Sequence, residues 1–312
     1  MNLFRKKVKK NLIHLGYFCG LLSGLLWAIA GISYEKLYTD FPMFNAFALN
    51  IIILFIAEFV LLLLICSYLA KEKLLPHLNY ISVIAVIGGL CGGPIGMLFY
   101  LQSLQSIGVS YTATISISYP IIASILSIKF LSVKTSKKTI FSFILIILLI
   151  IPIMYQDEKV DISYWGIFFA LFCALCWAVE IVISSYVMRY YQSEQTYLFR
   201  QAGSSLGYFI IIIFQLVYGS YFVPLDFNVF NDINLWKLEL IVILSSGFSY
   251  FFYYKAIGIL NPIRAMALNI TYSLWAVILS AVIFSKEISM ILIAIGFVVL
   301  VNVFIVARGE KK

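Results

Sequence analysis

Long apolar runs separated by short polar segments recur along the whole chain. Several of these runs exceed the roughly 20 residues that a helix needs to cross the hydrocarbon core of a membrane. The pattern predicts ten membrane-spanning helices. Their approximate limits are 14–34, 43–69, 79–104, 109–130, 137–155, 162–189, 194–218, 236–259, 263–284 and 287–307. These helices take up most of the 312 residues, so the pattern leaves no room for a soluble enzymatic domain.

The two halves of the chain carry matching sequence blocks. A Gly-rich and apolar block that ends just after Trp27 matches a block that ends just after Trp177. Further on, residues 100–120 match residues 253–273 at a constant offset. Matching halves in an apolar chain are typical of secondary transporters, whose substrate site lies at the interface between the repeats.

The predicted number of helices fixes the relation between the two halves. Each half contains five helices, and because five is odd, the second copy enters the membrane from the opposite side. We therefore predict an all-α membrane protein of two inverted five-helix repeats. The first repeat covers 1–155 and includes a basic amino-terminal tail, and the second covers 156–312.

Basic residues predict the orientation of the helices. The chain has a net charge of +8, and most of its Lys and Arg residues cluster at one end of the predicted helices. These clusters comprise Arg5, Lys6, Lys7, Lys9, Lys10, Lys71, Lys73, Lys134, Lys137, Lys138, Arg308, Lys311 and Lys312. The opposite side holds the single lysines Lys36, Lys159, Lys237 and Lys286. By the positive-inside rule both termini lie in the cytoplasm, and this placement argues against nucleic acid as a partner.

Cysteine, histidine and glycine patterns do not indicate a metal or cofactor site. Cys173 and Cys176 have the spacing of a redox or zinc pair, but in an apolar helix this spacing more often marks small packing residues. His14 and His77 lie at predicted membrane edges, far from other metal ligands in the sequence. The glycine-rich run around Pro94 lacks the lysine of a phosphate-binding loop and predicts a kink in the third helix. We expect neither a metal nor a cofactor.

Ionisable side chains inside the predicted helices are candidate functional groups, because charges at this depth are costly and usually line a cavity. Glu180 follows Trp177 by three residues, so the carboxylate and the indole share a helix face. Glu58 lies deep in the second helix, and it could equally have a purely structural role. Arg200, which is followed by Gln201, is expected to have a structural role and to bind a carboxylate or a carbonyl group of the protein.

Aromatic residues supply the other candidates. In the ninth helix Asn269, Tyr272 and Trp275 follow one another at intervals of three residues, and Tyr119 is the repeat counterpart of Tyr272. Together with the two tryptophans of the repeat they predict a cage of aromatic faces beside a carboxylate, which suits an organic cation. The predicted substrate-binding residues are Trp27, Tyr119, Trp177, Glu180, Gln201, Asn269, Tyr272 and Trp275. No cluster of basic residues in the predicted helices suits an anion.

Several motifs resemble those of the EamA branch of the drug/metabolite transporter superfamily. They are Gly93-Pro-Ile-Gly-Met97, Tyr119-Pro120 and Asn261-Pro262. A second set is similar to the choline permeases of bacterial phosphocholine-decoration (lic) operons. It comprises Gly20-Leu-Leu-Ser-Gly24 with Trp27, Trp177-x-x-Glu180, Arg200-Gln201, and Leu268-Asn269-x-x-Tyr272-x-x-Trp275. The resemblance implies proton-coupled import of choline by alternating access, in a bacterial cytoplasmic membrane whose lipid surrounds the protein.

Choline keeps its positive charge at every pH, so a proton gradient acts on its transport only through a protein group. Glu58 and Glu180 are the candidates for proton coupling: we take Glu180 as the partner of the cation and Glu58 as the group for the proton, and the reversed roles are the alternative. One alternative is export of amino acids or other small metabolites by the same fold. Another is a membrane scaffold or membrane enzyme, although no catalytic constellation occurs in the sequence. The sequence does not indicate an oligomeric state.

Overall fold

The computed structural model is a bundle of long α-helices. It describes residues 2–41, 47–132, 136–137, 140–142, 144–145, 148, 163–218, 227–284, 301 and 305. The helices are α1 (Asn2–Asp40), α2 (Phe47–Lys71), α3 (Tyr80–Leu90), α4 (Gly96–Ser116), α5 (Tyr119–Leu131), α6 (Tyr164–Val187), α7 (Ser193–Tyr218), α8 (Ile233–Ile259), α9 (Pro262–Asn269) and α10 (Tyr272–Ile283). The predicted helices at 137–155 and 287–307 lie mostly outside the described residues.

Seven stretches of helix within the described part of the chain are long and apolar enough to cross a membrane. α3 and α4 together form one of these stretches, and α9 and α10 form another. The shorter apolar helix α5 completes the predicted span 109–130. The prediction of an all-α membrane protein is therefore confirmed, and the described helices are consistent with a total of ten spans.

Pro94 lies in the predicted kink of the third span. Between α3 and α4 the backbone forms a short π-helix, Cys91–Ile95, that contains this proline. Proline has no backbone N–H and its ring clashes with the preceding turn, so a regular α-helix cannot continue unchanged through it. The wider π turn accommodates the ring, and such turns occur often at functional sites.

Two pairs of backbone irregularities occupy equivalent positions in the matching blocks. Gly108 and its repeat counterpart Asn261 both have positive φ, at 76° and 143°. Each introduces a helical segment that breaks again nine residues later, at Ile117 in one half and Ile270 in the other. The sequence match at 100–120 and 253–273 therefore extends to the local backbone conformation.

Helix packing brings the centres of three helices together. α1 packs along α8 and also contacts α9 and α10, while α6 packs against α4 and α5, and α7 against α2 and α3. Trp27 of α1, Trp177 of α6 and Tyr250 of α8 consequently meet in the interior. Many large apolar side chains on the outer surface are exposed, such as Leu216 and Val282, as expected for residues in contact with lipid.

Candidate substrate site

An interior cavity lies where α1, α5, α6, α8 and α9 meet. Its lining combines aromatic rings with one carboxylate and a few neutral polar groups. The lining residues are Trp27, Tyr119, Trp177, Glu180, Ile181, Ser249, Tyr250, Tyr253 and Asn269. Trp27 and Trp177 each have only 7% of their surface exposed, and Tyr119 has 2%. The aromatic rings therefore form part of the protein interior rather than a belt at the membrane surface.

The aromatic rings that line the cavity pack edge to face against one another. The indoles of Trp27 and Trp177 lie 5.5 Å apart at 78°, and Trp27 meets the ring of Tyr250 at 5.4 Å and 87°. Tyr119 meets Trp177 at 6.3 Å and 88°. Edge-to-face pairs are favourable because the positive edge of one ring points at the negative face of another. Rings fixed in this way surround the cavity with aromatic surface.

Hydrogen bonds fix the polar ends of these rings. The Tyr119 hydroxyl donates to the Asn269 side-chain oxygen at 3.1 Å and lies 3.1 Å from the Tyr253 hydroxyl. Asn269 in turn donates from its amide nitrogen to the hydroxyl of Ser23 at 2.9 Å. The Trp177 indole N–H donates to the backbone carbonyl of Gly92 at 3.2 Å. Protein groups thus hold these side chains in place.

Arg200 lies between two carboxylates at one side of the cavity. Its Nε donates to Oε1 of Glu180 at 3.2 Å, and its Nη1 donates to Oε2 of Glu58 at 3.0 Å. The Arg200 and Glu180 side chains are each 2% exposed, and Glu58 is 15% exposed. Burial of one charge without a partner is strongly destabilising, so the three groups depend on one another.

Neutral donors complete this cluster. Tyr254 donates from its hydroxyl to Oε1 of Glu180 at 2.9 Å. Gln201 donates from its side-chain nitrogen to the carboxylate and, at 3.0 Å, to the backbone carbonyl of Glu58. With both carboxylates ionised, the two negative charges exceed the single positive charge of Arg200 by one. The cluster is therefore suited to accept one further positive charge, either a cation or a proton.

A second cavity shares lining residues with the first. Its lining includes Trp27 and Tyr250, which it shares with the first cavity, together with Tyr34, Glu58 and Arg200. The Arg200 guanidinium lies 4.0 Å from the centre of the Tyr250 ring. Arg200 thus contacts an aromatic wall of the first cavity while it pairs with a carboxylate of the second.

Comparison with known proteins identifies the chain's relatives. The sequence profile of the EamA-like transporter family matches residues 14–155 and 164–308. The chain belongs to the EamA-like transporter family. Protein LicB of Haemophilus influenzae is 34% identical over 305 residues, which cover 95% of this chain and 99% of that protein. An uncharacterised transporter of Archaeoglobus fulgidus is 27% identical over 167 residues, covering 52% of this chain and 55% of that protein.

Solved structures show the same fold. One crystal structure superimposes with a TM-score of 0.65 at 17% identity and covers 96% of both chains. As a member of the EamA-like family, the chain is a membrane transporter and not an enzyme. Among the described residues, no group of three or more His, Cys, Asp or Glu side chains is arranged to hold a metal ion.

Most of the predicted substrate residues converge in this EamA-type bundle. Five of them line the first cavity: Trp27, Tyr119, Trp177, Glu180 and Asn269. Gln201 lines the second cavity. Tyr272 lines neither cavity. Its hydroxyl lies 2.6 Å from the Ser116 hydroxyl and donates to the Ala113 carbonyl at 3.2 Å. Trp275 is partly buried against the core and does not line either cavity.

The position of these last two residues follows from a break in the helix. Asn269 ends α9 and Tyr272 begins α10, so the two are not successive positions on one continuous helix face. The spacing argument assumed an unbroken helix from 263 to 284. The repeat counterpart of the break, at Ile117, lies before Tyr119 in the same way.

Several residues of the cavity were missed from the sequence. Tyr250 and Tyr253 line the cavity from α8 together with Ser249. In the sequence nothing separates them from the other aromatic and apolar residues of this helix. For Tyr253 the sequence offered one indication, since it is the repeat counterpart of Tyr100. The Tyr100 ring itself lies 5.3 Å from that of Trp177.

Proposed function

We propose that this transporter imports choline or a related quaternary amine, coupled to protons, by alternating access. The observation that supports the proposal most strongly is the cavity in which aromatic faces surround one carboxylate of a cluster with excess negative charge. The similarity to Protein LicB over nearly the whole of both chains agrees with the motifs that resemble choline permeases.

The chemistry of the lining favours a methylated ammonium group. A quaternary nitrogen has no N–H to donate, so hydrogen-bond acceptors recognise it poorly, whereas aromatic faces attract it by cation–π interaction. Trp27, Trp177, Tyr119, Tyr250 and Tyr253 offer such faces. Asn269 and Ser249 add neutral polar groups that suit a hydroxyl at the other end of the substrate.

An anionic substrate fits the site poorly. Arg200 is the basic residue that lies beside the cavity, and it already contacts the carboxylates of Glu180 and Glu58. Its guanidinium is therefore not available to bind a carboxylate or phosphate of a substrate. Export of amino acids would require a cationic partner for the substrate carboxylate, and the described lining contains no Lys or Arg.

Charge balance suggests how the site takes part in proton coupling. Glu180 lines the first cavity and is the proposed partner of the cation. Glu58 lines the second cavity and shares Arg200, which makes it the candidate within the cluster for the proton. If the cation and the proton competed for the single excess negative charge of the cluster, only one of them could be bound at a time, and the protein would exchange one for the other. Symport requires both to be bound together, so the proton needs a second group.

We further propose that the protein lies in a bacterial cytoplasmic membrane with both termini in the cytoplasm. The clusters of Lys and Arg at one end of the predicted helices support this orientation. In this orientation the end of α1 and the start of α8 face the outside.

Uptake by proteoliposomes tests the proposed function. An inward proton gradient should drive accumulation of labelled choline by the parent protein, and unlabelled amino acids should not compete. The Glu180→Gln variant should bind choline at least roughly tenfold more weakly, since loss of about 1.4 kcal/mol corresponds to tenfold. Glu194→Gln is a matched control, because Glu194 pairs with Lys255 at 3.8 Å away from both cavities. Outward transport of amino acids without choline uptake would contradict the proposal.

A further inference from the structure

Glu239 is a buried carboxyl group outside the substrate cavity. It lies on α8 about two turns after the helix begins at Ile233, and it is 0% exposed. Neither of its carboxyl oxygens has a hydrogen-bond partner among the described residues. In the sequence it lies near the predicted start of a helix and was not recognised as a residue at depth.

The surroundings of Glu239 contain no compensating cation in the described part of the chain. Tyr34 and Tyr38 of α1 are the titratable groups that interact with it electrostatically. Tyr208 of α7 and Glu58 of α2 also interact electrostatically with Tyr34. Lys237, on α8 itself, is exposed and contacts the side chain of Asn234 at 3.4 Å.

These surroundings suit a neutral carboxylic acid. An ionised carboxylate buried without a cation or hydrogen-bond donors is very costly, and such a group binds a proton instead. Glu58 differs, because Arg200 lies 3.0 Å from its carboxylate and compensates its charge. Of these two carboxyl groups, Glu239 therefore has the environment in which a bound proton is required for burial.

Glu239 is also placed to affect the substrate site. Its neighbour Tyr34 lines the second cavity together with Glu58 and Arg200. Tyr34 lies seven residues beyond Trp27 on α1, about 10 Å along the helix at 1.5 Å per residue. Glu239 lies on α8, which packs along α1, and these two helices carry Tyr250 and Trp27 of the first cavity.

We propose that Glu239 binds the proton that is transported together with the cation. The inference rests on the proposed function and assigns the proton to a group apart from the cation site, as symport requires. Glu239 takes up a proton from the outside while the cation enters the cavity, and it releases that proton to the cytoplasm after the conformational change. One cycle then carries one proton and one cation, or two positive charges, inward.

The Glu239→Gln variant tests this assignment in proteoliposomes. Gln has the shape of a protonated Glu but cannot release a proton. We expect the variant to exchange labelled for unlabelled choline like the parent in the absence of a gradient, and to lose gradient-driven accumulation. With one proton per cation, the accumulation lost is about tenfold per pH unit of gradient. Glu194→Gln serves as the control and should accumulate choline like the parent.

Accumulation by Glu239→Gln equal to that of the parent would overturn the proposal. Loss of accumulation in Glu58→Gln together with normal accumulation in Glu239→Gln would assign the proton to Glu58 instead. A variant that loses exchange as well as accumulation would indicate a structural role for Glu239 and would also contradict the proposal.

Infrared difference spectroscopy provides a readout that does not depend on choline. The carbonyl stretch of a protonated carboxyl group should be present in the parent and absent from Glu239→Gln. If the parent does not exchange choline at all, the proposed function fails, while the infrared band still decides whether Glu239 holds a proton. A spectrum unchanged by the substitution would overturn the assignment even if choline transport is confirmed.

Discussion

Trp177 contributes to the candidate site in two ways at the scale of a single residue. Its ring faces the cavity between those of Trp27 and Tyr119, and its indole N–H anchors it to the backbone carbonyl of Gly92. The aromatic face is the part that a cation would contact. A second tryptophan on the same helix, Trp165, is 68% exposed and lies outside both cavities.

This pair of tryptophans permits a controlled measurement. Trp177→Ala should weaken choline binding roughly tenfold, because it removes a cation–π contact of about 1–2 kcal/mol. Trp165→Ala on the same helix should leave the affinity unchanged. Isothermal titration calorimetry in detergent measures both. Equal affinities for the parent and a folded Trp177→Ala protein would show that this ring does not contact the substrate.

The sequence reveals those residues of the site whose chemistry differs from that of the neighbouring apolar residues. Glu58, Glu180 and Arg200 stand out in the sequence, because charged residues are rare in apolar helices. A contact of Arg200 with a carboxylate or a carbonyl group was also expected, but its simultaneous pairing with Glu58 and Glu180 depends on how α2, α6 and α7 pack. Glu239 illustrates the same limit, because burial near a helix end is decided by neighbouring helices rather than by position in the sequence.

At the scale of helices, the π turn between α3 and α4 supports the charged cluster. Gly92 lies in this turn, against the side chain of Glu180. A Cβ atom built on Gly92 would collide with the Glu180 carboxylate. The absence of a side chain at this position therefore allows α6 to place its carboxylate beside Arg200.

Substitution of Gly92 tests this contact. Gly92→Ala should lower the thermal unfolding midpoint, because overpacking of an interior contact typically costs about 1–3 kcal/mol. Choline binding should weaken as well, since the Glu180 carboxylate is displaced. Gly258→Ala, in the last turn of α8, is the control, because its Cβ would lie 3.2 Å from the Ser193 side chain, a much milder contact than the overlap at Gly92. If both variants unfold at the parental temperature, the cluster does not require the glycine.

The helices themselves were largely predictable, whereas their interruptions were predicted only in part. Apolar runs gave the limits of α6, α7 and α8 to within about three residues. The kink at Pro94 followed from the chemistry of proline. The break at Ile117 comes just before Pro120, which lies in the first turn of α5 and cannot donate a backbone hydrogen bond to the preceding turn. The break at Ile270 contains no residue that interrupts a helix by itself, and it is visible only as the folded counterpart of the break at Ile117.

At the scale of the whole molecule, hydrogen bonds join the two halves at one end of the bundle. Arg189, after α6, donates to the carbonyl of Leu131 at the end of α5, at 2.8 Å. Gln195 donates to the carbonyl of Leu74, also at 2.8 Å. In the proposed orientation this end faces the cytoplasm. The proposed alternating access requires these contacts to separate when the site opens inward.

A crosslink across this end tests that requirement. In a variant whose native cysteines are replaced, cysteines at Leu131 and Arg189 joined by a short bis-maleimide should abolish choline exchange. The same double variant without the crosslinker should exchange choline and serves as the control. Undiminished exchange by the fully crosslinked protein would place the inward opening elsewhere in the bundle.

The central claim is that the aromatic cavity and its carboxylate select a positively charged nitrogen. The most direct test compares binding of choline with binding of 3,3-dimethyl-1-butanol, in which a carbon atom replaces the quaternary nitrogen and the shape is retained. We predict that calorimetry will show choline to bind at least roughly tenfold more tightly than the neutral analogue, since several desolvated cation–π contacts are lost without the charge. Equal binding of the two compounds would contradict the account.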